Sequence, residues 1–374
     1  MKQVKDLTPV FAFFLTAIIS FPLQSEASTS DAEDSETQSE PPRATPQSDV
    51  ANEDEGAQNK PIKNEMSEEL QEQVGRGFIY LRSQQNSDGS YGRGRYGRHV
   101  GITALAGLAF MADGNLPRRG PYGEQVERAL EFVLGNVTET GLIAAETSHG
   151  PMYGHGFATL FLGELYGMTP EDSRIRESLV KAVELIVGTQ HEEGGWRYNP
   201  VPVDADISVT ICQIMALRSA RNAGIKVPKR TIDRAVQYVR ACQNPDGGFK
   251  YMIQAGGSAW PRTAAGVASL FYAGIYEDDS IDRGLQYLMR TALPGRNAPG
   301  QAHYYYGHYY AAQAMYLAGG EHWERWWTAI STELMAKQSS SGGWLDHHAG
   351  GAYATSMSLI VLQMPKRYLP IFQK

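Results

Sequence analysis

Cysteine is nearly absent from this chain, with only Cys212 and Cys242 in 374 residues. Neither has a close cysteine neighbour or metal-ligand spacing, so no disulfide framework and no structural zinc site organises the fold; a single pairing of the two stays open. A basic surplus is absent too. Lys and Arg number 34 against 41 Asp and Glu, the net charge is -7, and no basic stripe is present, which excludes nucleic acid as a partner. Long apolar runs are confined to Pro9–Leu23, which is short for a membrane span and soon followed by acids. Lysines at 2 and 5 precede that run and Ser25-Glu26-Ala27 follows it, the pattern of a signal peptide over 1–27 cleaved near Ala27, with a retained anchor as the alternative. The expected localisation is therefore periplasmic or secreted. Residues 28–65 lack aromatics and are rich in Ser, Asp, Glu, Pro and Gln, so they read as a disordered acidic linker. Residues 66–374 remain as the folded domain.

What that domain has is a repeat. Gln-x-x-x-Gly-x-aromatic occurs at Gln85–Tyr91, Gln190–Trp196, Gln243–Phe249 and Gln338–Trp344. The first and last intervals are about twice the middle one, which predicts a degenerate copy in each; Asn136–Gly141 and the Pro- and Gly-rich stretch Leu293–Gln301 fall there. The result is six units of about 50 residues. Apolar residues at 126, 130, 133 and 134, and at 179, 183, 186 and 187, follow helical spacing and mark one buried stripe on a first helix. Thr169-Pro170-Glu171-Asp172 supplies a helix start. Each second helix is small and apolar, as in Gly101–Phe110, Ile211–Leu217, Thr263–Phe271, Ala311–Leu317 and Ser356–Leu362. Such hairpins cannot bury their apolar faces alone and must stack. An all-α fold of six helical hairpins is predicted, closing into inner and outer helix rings.

In a closed ring the starts of the second helices become neighbours, and these starts carry the chemistry. They hold His99, Tyr153 and His155, Asp204 and Asp206, Trp260 and Arg262, Tyr304, Tyr306 and His308, and Tyr353. Tyr-Gly-His occurs twice, at 153–155 and 306–308.

The Gln-x-x-x-Gly-x-Trp/Phe turns resemble the repeats of squalene-hopene cyclases, oxidosqualene cyclases and protein prenyltransferase β subunits, over roughly 75–370. That resemblance implies an α/α toroid with a ligand cavity at its centre. Asp204-Ala205-Asp206-Ile207 resembles the Asp-x-Asp-Asp motif of class II terpene cyclases, in which the middle aspartate protonates an alkene or epoxide. Carried over, Asp206 is the acid with Asp204 beside it, while Ile207 replaces the fourth motif residue. A carboxyl at a helix start is also a favoured cap, and the helix favours its ionised form, so only burial would keep it protonated. His155 and His308 are the further catalytic candidates; Arg262, Trp260, Tyr304, Tyr306 and Tyr353 are the substrate-binding ones, the aromatic faces suiting a carbocation. The zinc ligands of prenyl transfer are not matched, since Ser208 stands where cysteine would and Tyr353 where histidine would; neither metal nor cofactor is expected. Tyr122-Gly123-Glu124-Gln125 lacks the thiol a thioester needs.

Acid-initiated cyclisation or isomerisation of a small apolar polyprenyl or terpenoid substrate is the leading expectation, with contact to a membrane surface beside it. A non-catalytic toroid binding a lipid or protein partner, and a polysaccharide lyase-like enzyme using His155, His308, Tyr306 and Arg262, stand as alternatives.

Overall fold

A computed structural model of the protein describes residues 66–145, 150–254, 256–295 and 302–373. The expected signal peptide and linker, and residues 296–301 of the fifth copy, lie outside the described residues. Twelve α-helices alternate in two sets among the described residues. The outer set is α1 Glu68–Ser83, α3 Gly123–Leu134, α5 Ser173–Gly188, α7 Lys229–Ala241, α9 Asp279–Thr291 and α11 Gly320–Lys337. The inner set is α2 Val100–Met111, α4 Met152–Met168, α6 Ile207–Asn222, α8 Trp260–Tyr272, α10 Tyr304–Ala318 and α12 Gly350–Gln363. None of them is long and apolar enough to cross a membrane.

Outer helices are amphipathic and bury one stripe: α7 buries Thr231, Ala235, Val236, Tyr238 and Val239 and leaves its charged residues outside. Inner helices have neighbours on every side, so all twelve residues of α2 are buried. Each inner helix packs on the next, α2 on α4 and so on to α10 on α12, and α12 returns to α2. The ring is closed, an α/α toroid.

The repeated motif explains the geometry. In each clear copy the Gln amide donates to the carbonyl of its own glycine and to a carbonyl in the N-terminal half of the next outer helix. Gln85 reaches Gly89 and Gln125, Gln190 reaches Gly194 and Thr231, and Gln243 reaches Gly247 and Ser280. Gln338 reaches Gly342 and then Gln73 on α1, both at 2.7 Å, so the last copy fastens onto the first helix. The glycine has to be glycine: Gly194 has φ +106°, and a Cβ there would lie 2.1 Å from the Arg234 carbonyl oxygen. The aromatic backbone N–H then donates to a threonine in the following inner helix, Tyr91 to Thr103, Trp196 to Thr210, Phe249 to Thr263 and Trp344 to Thr355, at 2.8–3.0 Å.

The second, degenerate copy sits one residue later than 136–141 suggests. Val137 and Ile143 bridge as Gln243 and Phe249 do, so Val137 holds the glutamine position, while the Asn136 amide folds back onto Phe132 of its own helix. Helix α5 likewise starts later than Thr169. The Thr169 hydroxyl bonds back to Leu165 and closes α4, and Asp172 is the residue that caps α5 by accepting from Arg174 N.

At the far end of the ring the chain after α12 runs beneath α4 and α6, burying Met364, Leu369, Ile371 and Phe372. Ile371 N donates to Glu164 Oε2 at 2.9 Å and Ser219 Oγ to Oε1 at 2.7 Å. Cys212 and Cys242 are buried free thiols.

Candidate active site

Asp206 is the residue before α6, and the repeat holds it from both sides. Its N–H donates to the Trp196 carbonyl at 3.0 Å, and the next N–H, of Ile207, donates to the Tyr251 carbonyl at 3.1 Å. Its side chain is fully buried. Three donors converge on Oδ1: Ser208 N at 2.8 Å, Ser208 Oγ at 2.7 Å and Val209 N at 3.0 Å. Oδ2 has no hydrogen-bond partner among the described residues. The nearest cation is Arg197, whose Nε stands 3.6 Å from Oδ2, too far for a hydrogen bond. Burial pushes the Asp206 carboxyl above its ordinary range, while the Ser208 and Val209 bonds and the Arg197 charge pull it down. The cap thus uses one oxygen and leaves the other without a partner among the described residues.

Asp204 is part exposed and pairs with Arg197 Nη1. The guanidinium lies against Tyr198 and Tyr251, 5.1 and 5.6 Å from their ring centres, and the two tyrosine hydroxyls bond each other. Arg262, at the start of α8, stands 5.9 Å from the Tyr251 ring centre and donates to the Gly257 carbonyl at 2.9 Å. Arg197, Tyr198 and Tyr251 were not singled out from sequence. Their only signal is position, just after the aromatic residue of the third and fourth copies.

Tyrosines from other inner helices complete the centre. The Tyr306 hydroxyl crosses from α10 to the Ser208 carbonyl at 3.0 Å. Burial, then neighbouring Tyr153, Cys212, Asp206 and Tyr353, raise that hydroxyl well above the usual phenol range. Tyr153 of α4 is a neighbour of Asp206 and bonds the Ser208 side chain. Tyr153, Tyr306 and Tyr353 all keep some exposure. Ring faces and one buried carboxyl are therefore gathered from α4, α6, α10 and α12.

Trp260, Tyr304 and His308 lie elsewhere, a correction to the expected lining. Trp260 packs on His308 with ring centres 4.7 Å apart and fills the space that Gly307 leaves. Tyr304 donates to Glu333 of outer helix α11 at 2.8 Å, and His308 rests on Tyr304 and on Trp326 of α11. Residues four apart share a helix face, so 304 and 308 turn outward together while 306 and 310 turn inward. His155 is also turned to the scaffold. Its Nδ1 accepts from Ile143 N at 3.1 Å, the bond threonine makes in the clear copies. Burial lowers His155 to about 4, and burial with Lys337 lowers His308 to about 3, so both are neutral near pH 7.

No protein-family model matches the chain. Over 174 residues, 46% of this chain, it is 26% identical to drimenyl diphosphate synthase from Streptomyces showdoensis; the match spans 31% of that protein's length, about a third. The type II terpene cyclase MstE from Scytonema, in its apo form, is 15% identical with a TM-score of 0.55, covering 80% of this chain and 99% of the other. Variants of that cyclase hold geranylgeranyl dihydroxybenzoate as substrate or merosterolic acid A as product. An inactive variant of an α-1,6-mannanase of Salegentibacter, in complex with α-1,6-mannotriose, has a TM-score of 0.61 at 9% identity, covering 80% of this chain and 99% of that one. The fold is thus a squalene cyclase-like α/α toroid, shared by terpene cyclases and glycosidases.

Proposed function

We propose that this protein is a class II terpene cyclase-like enzyme in which Asp206 starts cyclisation or isomerisation of a prenyl substrate by protonating an alkene or epoxide. The observation that carries this reading is the division of labour within one buried carboxyl. Oδ1 is held by three donors, which leaves Oδ2 as the oxygen that carries the proton, with no acceptor for it among the described residues. Asp204 acts through Arg197: it draws the guanidinium toward itself, off hydrogen-bonding distance from Oδ2. Tyr153, Tyr306 and Tyr353 offer ring faces to the cation, each contributing about 0.5–2 kcal/mol. Arg262 stands at the rim, and His155, His308, Trp260 and Tyr304 serve the scaffold. The partial identity to a terpene synthase supports the same chemistry.

Because Asp206 is fully buried, a substrate reaches Oδ2 only when a group packed over it gives way. The test is to incubate purified protein with farnesyl and geranylgeranyl diphosphates and with squalene, comparing wild type with Asp206→Asn. Asparagine keeps an oxygen for the Ser208 and Val209 donors, so the fold should stay intact while products vanish. Equal product profiles from the two proteins would remove Asp206 from the chemistry.

A second reading rests on one pair of observations: the mannanase likeness, and two carboxyls, Asp204 and Asp206, on one arginine. Glycoside hydrolysis uses such a pair. The tyrosine-walled, fully buried setting of Asp206 suits a sugar less well than a prenyl chain.

A further inference from the structure

Helices α4 and α10 lie opposite one another in the ring, three steps apart in the order α4, α6, α8, α10. Neighbouring helix axes are about 8–10 Å apart, so opposite members of a six-membered ring are separated by roughly twice that. Only side chains reaching into the lumen can bridge such a gap. Phe157 of α4 and Tyr309 of α10 do so, meeting edge to face with ring centres 6.1 Å apart. Both are almost fully buried. Beside them Tyr310 of α10 crosses to Cys212 of α6, hydroxyl to sulfur at 3.3 Å, and packs on Tyr309 with ring centres 4.9 Å apart. The lumen is therefore closed at this level by aromatic rings from opposite helices of the ring.

We infer that the Phe157–Tyr309 pair is the floor of the substrate chamber and sets the longest prenyl chain it accepts. This inference rests on the cyclase reading of Asp206 and deepens it. From Asp206 at the start of α6 to Cys212 beside the floor is six residues, a rise of about 9 Å. That depth accommodates a geranyl chain or a folded farnesyl chain. A geranylgeranyl chain or squalene overruns it, since the densely packed layer below, with Tyr272, Gln313 and Glu164, leaves no passage to the other end of the ring. Product size is limited by two rings contributed from opposite walls, and the acid has no part in that limit.

The experiment measures binding of geraniol, farnesol and geranylgeraniol to the full chain by isothermal titration calorimetry, for wild type, Phe157→Ala, Phe157→Leu and Phe157→Trp. Wild type should bind farnesol at least tenfold tighter than geranylgeraniol. The Ala and Leu variants should move that ratio toward geranylgeraniol, Ala by tenfold or more, and Trp should move the preference toward geraniol. Leu and Trp keep the site apolar and filled, so a fold lost in Phe157→Ala leaves them to decide. A wild type that takes geranylgeraniol as well as farnesol, or a ratio unchanged in folded variants, overturns the floor. The Asp206→Asn assay is independent: products lost there with an unmoved ratio would sink the floor alone, and products retained with a shifted ratio would sink the cyclase reading while the floor stands.

Discussion

A carboxyl at a helix start is normally ionised, because the unpaired N–H groups and the helix dipole favour negative charge. At Asp206 burial acts against this, and the outcome is a carboxyl raised above its ordinary range, with the cap on one oxygen and no partner on the other. The acid must be protonated to act, so turnover is expected to be level at low pH and to decline as pH rises through that raised value; a rate that instead rises with pH would point to a base. Ser208→Ala tests the same geometry. It removes the Oγ bond to Oδ1 but keeps both backbone donors. Turnover should fall and the decline with pH should move upward, since a bond that favours the ionised form is gone. The sequence made Asp206 conspicuous through its spacing to Asp204, yet could not separate a cap from an acid, because an aspartate at a helix start suits either role. Arg197 was illegible for another reason. Nothing in one sequence shows that an arginine seven residues before Asp204 will fold back between two tyrosines.

Among elements, the glutamine turns carry the strongest predictive content, and their one visible failure is informative. At Val137 the amide is missing, although Gly141 keeps φ +86° and its Cβ position faces the Lys181 carbonyl as Gly194 faces that of Arg234. The receiving geometry is present without the donor. Val137→Gln should therefore add two hydrogen bonds and stabilise the fold by about 1–3 kcal/mol, read as a raised denaturation midpoint; no change would mean that the second unit is built differently. The converse experiment is Thr210→Val, which keeps the volume but leaves the buried Trp196 N–H without its acceptor. A loss of about 1–3 kcal/mol is expected, with Thr210→Ser much milder. The motif located four of these turns directly because Gln, Gly and an aromatic each have a separate mechanical task. Periodicity missed the register of the second by one residue, since Asn136 mimics the glutamine chemically while bonding to its own helix. It also misassigned Trp260, Tyr304 and His308. A residue near a helix start is near the mouth, but whether it faces lumen or outer layer depends on helix phase, here fixed by the close seating of Trp260 on Gly307.

At the scale of the molecule, closure was the step that periodicity left undetermined, since the same repeat builds an open superhelix if each turn angle differs slightly. The return of Gln338 to α1, and of the Gln363 amide to the Ala109 carbonyl at 3.1 Å, settles it as a ring. A closed ring makes its interior a poor solvent for charge everywhere, and the ionisable groups trapped there set how stability responds to pH. Burial raises Glu164 from 4.5 to about 7, against the bonds from Ser219 and Ile371, while burial lowers His99 and His155 from 6.5 to about 4 and His308 to about 3. The signs oppose. For the histidines the unfolded chain binds more protons below 6.5, so stability is lost as pH falls from there toward 4 and 3. For Glu164 the folded chain binds more protons between 4.5 and 7, so stability is lost as pH rises across that window. Three histidines outweigh one glutamate from 4.5 to about 7, where stability climbs with pH; just above 7 the unfolded histidines and the folded glutamate release their last protons together, and the curve levels. Thermal unfolding of the wild type is accordingly expected to rise with pH and to level off just above pH 7. In Glu164→Gln, whose one side-chain oxygen can accept from Ile371 N while its NH2 faces Ser219 Oγ, the contribution opposing the histidines is gone, so the climb between pH 4.5 and 7 should steepen. An unchanged slope in that variant would mean that another group, and not the carboxyl holding the C-terminal segment under α4, opposes the histidines.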